Sequence, residues 1–154
     1  MLSHEKLRVY QQALQLIAWL HPLLERLPRT LAVHNQLDRA STSVPLNIAE
    51  GNGKSTSADR CRFLDNARGS VLECAACLDV LVARAVCTEQ EIIAGKTLCE
   101  QIVGGLTQLI QTLSPTRIHE DALSYQAPPL TAAAPANSPS YQGMPLEWDE
   151  PVEE

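Results

Sequence analysis

Six residues, Gly51-Asn52-Gly53-Lys54-Ser55-Thr56, come nearest to a chemical motif, because a phosphate loop ends in Gly-Lys-Ser or Gly-Lys-Thr. The glycine such a loop needs five positions before Gly53 is Ile48, and the segment follows a helical pattern rather than a strand. Backbone amides leaving a helix are not aimed at a phosphate, so the segment reads as a helix-to-helix turn. Cys74-Ala75-Ala76-Cys77 has the spacing of a metal or redox pair. No second cysteine pair or nearby histidine completes four ligands, and Cys74 falls on an apolar stripe, so the pair reads as small buried hydrophobes. His4, His21, His34 and His119 are scattered, no Glu-x-x-His pattern occurs, and no serine has a partnered base. The residues therefore point to no enzyme, no cofactor, no metal and no small-molecule substrate.

One set of side chains suits a polyanion. Lys54, Arg60, Arg62 and Arg68 surround a predicted helix start, with Arg39 on the preceding helix. Cations beside exposed helix amides could contact phosphates of RNA. Glu50, Asp38, Asp59 and Asp65 lie close enough in sequence to neutralise them, which makes a salt-bridged surface the competing reading.

The elements that position these residues are all helical. Leu64, Ala67, Val71, Cys74, Leu78, Leu81 and Ala85 recur at alternating steps of three and four, as do Ile92, Gly95, Cys99, Ile102, Leu106, Leu109 and Leu113. The short link Cys87-Thr88-Glu89 makes these two helices antiparallel neighbours. Leu7, Tyr10, Leu14, Ile17 and Leu24 predict a first helix, kinked at Pro22 and ended at Leu27-Pro28. A second helix is predicted over 31–50, with Leu37, Ser41, Val44 and Ile48 on one face, a bend at Pro45, and Gly51 and Gly53 stopping it in a left-handed conformation. Thr56 and Asp59 form a capping pair for the third. The fold class is all-α, an antiparallel up-down-up-down four-helix bundle over residues 1–118.

Residues 1–118 carry 12 basic and 11 acidic side chains, whereas 119–154 carry seven acids and no base. Six of the ten prolines lie after Arg117. Residues 119–154 read as a disordered acidic Pro/Ala-rich tail, with PLEWDEPVEE as a candidate docking motif. Five cysteines, no signal peptide and charges within the most apolar stretch, 71–87, make the cytoplasm the expected setting, without membrane insertion. Between Val71 and Cys87, 14 of 17 residues are apolar, more than one bundle can cover. Leu72, Ala75, Ala76 and Ala83 lie off the main stripe, so a homo-oligomer is expected, joined by close packing around Ala76.

The segment from Asp38 to Leu81 resembles the signature region of the four-helix-bundle family of proteins encoded in 23S rRNA intervening sequences. That family includes Avd, the accessory protein of diversity-generating retroelements. The resemblance rests on Pro45, on Asn47-Ile48-Ala49-Glu50-Gly51, and on Arg68-Gly69-Ser70 followed by Glu73, with Leu7, Val9, Tyr10 and Ala13 at the front. It implies a ring-like homopentamer. For the retroelement branch it implies association with a reverse transcriptase and binding of nucleic acid through a basic surface. The near-neutral body and acidic tail depart from that branch, whose members are strongly basic. Asn47, Glu50, Arg68 and Glu73 are expected to tie the second and third helices together. Two functions follow: an oligomeric adaptor touching RNA or a nucleic-acid enzyme, or a protein-only scaffold presenting acidic tails.

Overall fold

The computed structural model describes residues 1–115. After a 3-10 turn at Ser3–Lys6 come four helices: α1 (Arg8–Arg26), α2 (Ala32–Asn52), α3 (Ser57–Ala83) and α4 (Glu89–Leu113). Each packs on the next in sequence, and α1 closes the bundle against α4. The predicted fold is therefore observed. The boundary near 118, the tail and its docking motif fall outside the described residues.

The core is aliphatic and cysteine-filled. Leu16, Leu20, Leu37, Val44, Ile48, Val71, Leu78, Leu81, Ile102 and Leu106 are fully enclosed. The α3 stripe from Leu64 to Leu81 is buried as predicted, and so is the α4 stripe from Ile92 to Leu106, after which Ile110 rather than Leu109 turns inward. All five cysteines are buried. Burial pushes the Cys74 thiol up to about 12 and that of Cys99 up to about 11, as expected of thiols used for packing.

The first helix departs from its predicted register. Its inner face is Val9, Ala13, Leu16, Leu20 and Leu23, while Leu14 is exposed and Tyr10, Ile17 and Leu24 are half-buried. Leucines occupy two neighbouring stripes of α1, and packing selects the one that faces α2 and α4. Pro22 does not interrupt α1, nor Pro45 α2. Pro22 is exposed, as is Ala18, whose carbonyl loses its ladder donor there and faces water instead.

The helix ends show how local chemistry sets boundaries. Asp59 N–H donates to Thr56 Oγ1 at 3.1 Å, the cap expected for α3. Thr88 and Glu91 form a reciprocal box at the start of α4: Thr88 N–H donates to Glu91 Oε2 at 2.7 Å, and Glu91 N–H donates to Thr88 Oγ1 at 3.3 Å. Thr88 N–H and Arg26 together hold the Glu91 carboxyl down to about 2. Gly53 does stop α2, but at φ −81°, not in the left-handed region. That conformation is found instead at Ala85, at φ 57°. There Val86 N–H donates to the Leu81 carbonyl at 2.9 Å and Ala85 N–H to the Val82 carbonyl at 2.8 Å, which ends α3 earlier than its apolar stripe suggests. Ala85 is thereby exposed rather than part of the core. Among the described residues, no helix is long and apolar enough to cross a membrane.

Candidate functional site

The turn between α2 and α3 is built on a missing side chain. Gly51 is buried, and a Cβ placed on it would lie 2.9 Å from Phe63 Cβ and 3.4 Å from the Arg60 carbonyl. Only glycine lets the end of α2 cross the first turns of α3 this closely. The Gly-Asn-Gly-Lys-Ser-Thr segment thus joins two helices, with Arg60 Nε donating to the Lys54 carbonyl at 2.8 Å and fastening the turn.

The five candidate cations do not form one patch. Lys54, Arg60 and Arg62 gather at this turn, where Lys54 Nζ lies 4.6 Å and Arg62 Cζ 4.8 Å from the centre of the Phe63 ring. Arg68 is two turns further along α3, and Arg39 is roughly 22 Å from Lys54 by helix rise along α2. Lys54 pairs with Glu50 at 3.2 Å, Arg62 with Asp59 at 3.6 Å and Arg68 with Asp65 at 3.3 Å. Arg39 and Arg60 meet no carboxylate among the described residues. The role of Phe63 as a platform for two cations was not legible in the sequence, since nothing in its spacing shows which neighbours curl over the ring.

Between α2 and α3 runs a directional hydrogen-bond chain. Asn47 Nδ2 donates to Ser43 Oγ at 2.9 Å; the Ser43 and Ser70 hydroxyls are 2.9 Å apart; Ser70 Oγ donates to the Asn66 carbonyl at 3.0 Å. A hydroxyl has one proton, so Ser43 is the donor to Ser70. Glu73 accepts from Gln36 Nε2 across the same interface. Of the four residues expected to tie the helices together, Glu73 alone bonds across, beside the Ser43–Ser70 contact, whereas Asn47 bonds to Ser43 on its own helix and Glu50 and Arg68 pair within their own segments. Pro45 is buried in α2.

The outer face of α3 carries the remaining candidates. Gly69, Leu72, Ala76, Val80 and Ala83 follow one another at steps of three or four, and all are exposed, Leu72 to 55% and Val80 to 38%. A Cβ on Gly69 would meet nothing within 4 Å. Ala75, by contrast, packs half-buried against the core. Leu46 on α2 is exposed to 63%. Among the described residues no group of three or more histidine, cysteine or acidic side chains is arranged to hold a metal ion.

No curated protein matches the chain. A family model, described as 23S rRNA-intervening sequence protein, matches residues 5–108. The match spans all of α1, α2 and α3 and most of α4, including the Gly51 crossing, the Asn47 chain and the outer face of α3. The chain belongs to the 23S rRNA-intervening sequence protein family.

Proposed function

We propose that the protein is a non-enzymatic adaptor that works as a homo-oligomer, its subunits joined through the outer face of α3. The supporting observation is the exposed line Gly69, Leu72, Ala76, Val80, Ala83. Its small residues allow a second helix to approach closely, and Leu72 and Val80 add apolar area that water covers poorly. A ring of five is the stoichiometry that the family resemblance adds. Light scattering on the purified chain should give a mass several times 16.8 kDa. Ala76→Glu should lower it with helicity unchanged, because Ala76 is exposed in the single subunit and a charge there is costly only in an interface. A monomer at micromolar concentration would overturn the proposal.

A partner made of RNA, or an enzyme acting on nucleic acid such as a reverse transcriptase, is the second reading. Arg39 favours it, since an exposed cation without a carboxylate neighbour is available to a phosphate, whereas the Arg60 guanidinium is engaged by the Lys54 and Asn52 carbonyls. Three of the five candidate cations are already paired, which favours the protein-only scaffold. Replacing Arg39 by alanine should reduce the salt slope of RNA binding by about one unit if the nucleic-acid reading holds. Removing residues 119–154, with their seven acids, should raise the RNA affinity.

A further inference from the structure

A groove of about 520 Å³ runs along the seam between the start of α1 and the end of α4. Its polar lining is Arg8 and Gln12 on α1, four residues apart, and Gln101, Gln108 and Thr112 on α4. It exists because α4 carries two adjacent glycines. Gly105 is covered by Val9, whose Cγ1 an added Cβ would strike, whereas a Cβ on Gly104 would meet nothing within 4 Å. The groove therefore has an open strip of backbone as its floor, and by helix rise it is roughly 16 Å long from Gln101 to Thr112.

The hydrogen-bonding groups in this groove are anchored yet unsaturated. Gln12 is 92% buried, being 8% exposed, and its Nε2 donates to Gln101 Oε1 at 3.2 Å. That bond fixes two primary amides side by side while leaving the Gln101 amino group as donor and Gln12 Oε1 as acceptor. The Gln108 amide makes no hydrogen bond among the described residues, and the Thr112 hydroxyl proton is committed to the Gln108 carbonyl at 2.9 Å, so its lone pairs face any ligand as acceptors. Arg8 is the only charged residue lining the groove and forms no salt bridge among the described residues.

We propose that this groove binds a nucleotide unit, its base lying on the open backbone at Gly104, its edge read by the Gln12, Gln101 and Gln108 amides, and its phosphate held by Arg8. A primary amide presents a donor and an acceptor side by side, the pattern of a base edge, and pairs with it bidentately. A planar ring can rest on a helix surface that lacks a side chain. The volume lies within the usual range for small-ligand sites. An extended peptide fits less well, because its hydrogen-bonding groups point alternately to the two sides of the strand and only half would face the amides. The same chemistry could come from a free mononucleotide or from an unstacked residue of single-stranded RNA.

Calorimetric titration of the full chain with AMP, GMP, CMP and UMP, and separately with a short single-stranded RNA, tests the proposal. Saturable binding of a mononucleotide identifies a free-nucleotide site, and binding of the RNA alone identifies a strand site. In either case Gly104→Leu, which fills open space without a clash, should weaken binding by about tenfold or more, and Gln108→Leu by about tenfold, the worth of one bidentate pair. Arg8→Gln should reduce the salt dependence, and Ala94→Leu, on an exposed part of α4 outside the groove, should change nothing. Ala76→Glu should leave the affinity intact, so the outcome is independent of the α3 assembly surface. The proposal is overturned if neither ligand binds, if Gly104→Leu binds as well as the parent, or if Gly104→Leu lowers the assembled mass, which would make the groove a subunit contact.

Discussion

The indole of Trp19 lies against Gly95, so closely that a Cβ on the glycine would come within 2.5 Å of Cη2 and 2.8 Å of Cε3, and nearer still to Cζ3. This is how α1 and α4 close the bundle. A flat ring fills the place where α4 has no side chain. Gly95→Ala gains about 1 kcal/mol of helix propensity but forces the ring to move, an overpacking cost of about 1–3 kcal/mol. The expected result is a lower urea midpoint for Gly95→Ala and a larger loss for Gly95→Val. In the Trp19→Ala background the same Gly95→Ala change should cost nothing, because the collision partner is gone. Equal losses in both backgrounds would remove the ring from the explanation.

Ala85 makes the opposite prediction. It holds a left-handed conformation at φ 57°, which costs a residue with a Cβ roughly 1–2 kcal/mol. Ala85→Gly relieves that strain and loses some of the gain to the greater freedom of glycine in the unfolded chain, for a net stabilisation of about 0.5–1 kcal/mol. Thermal unfolding should show a rise in Tm. A fall would mean that the end of α3 is held by contacts of the Ala85 methyl group.

Acid should expose the α4 cap. The Glu91 carboxyl is lowered from 4.5 to about 2, first by the Thr88 N–H and then by Arg26. A depressed carboxyl stabilises the folded state above its unfolded value and loses that contribution as pH falls toward its folded value. The Tm difference between the parent chain and Glu91→Gln should thus be constant above about pH 5 and shrink between 4.5 and about 2. A difference that does not vary over this window would rule out the cap as its source.

Thiol chemistry should report global opening. All five cysteines are buried, and burial raises Cys74 to about 12 and Cys99 to about 11. A thiol-specific reagent at neutral pH should react with none in the folded protein and with five in denaturant. Fast labelling of one cysteine in the native protein would identify a local opening at that position.

Much of this architecture can be read from residue types. The stripe from Leu64 to Leu81 keeps its alternation of three and four without a break and is the face that is buried, although Leu72 and Val80 make the outer side apolar as well. Thr56 and Asp59 combine a good cap with the right spacing. In α1 the same reasoning fails, because Leu14 and Ile17 are as apolar as Leu16 and Leu20, and only packing on α2 and α4 decides between the stripes. The glycines mislead in a similar way. Gly51, Gly95 and Gly105 are present for close approach to Phe63, Trp19 and Val9, none of which is near them in sequence except Phe63, whereas the conformation that favours glycine falls to an alanine. The basic residues at the α2–α3 turn were visible as a group. Their division into paired and unpaired cations depends on which carboxylate each one reaches, and sequence proximity alone does not decide that.

Leu7 at the start of α1 and Leu113 at the end of α4 line the same small cavity, so the described chain leaves the bundle where it entered. The four helices form a cycle that is interrupted once, and the interruption has no special standing in the packing. A circular permutant that links the end of α4 to the turn at Ser3–Lys6 and opens between Arg84 and Thr88 would keep every helix contact, with only the identity of the first helix changed. Chain order in this bundle is thus independent of its packing, and a segment joined at Leu7 or at Leu113 is delivered to the same end.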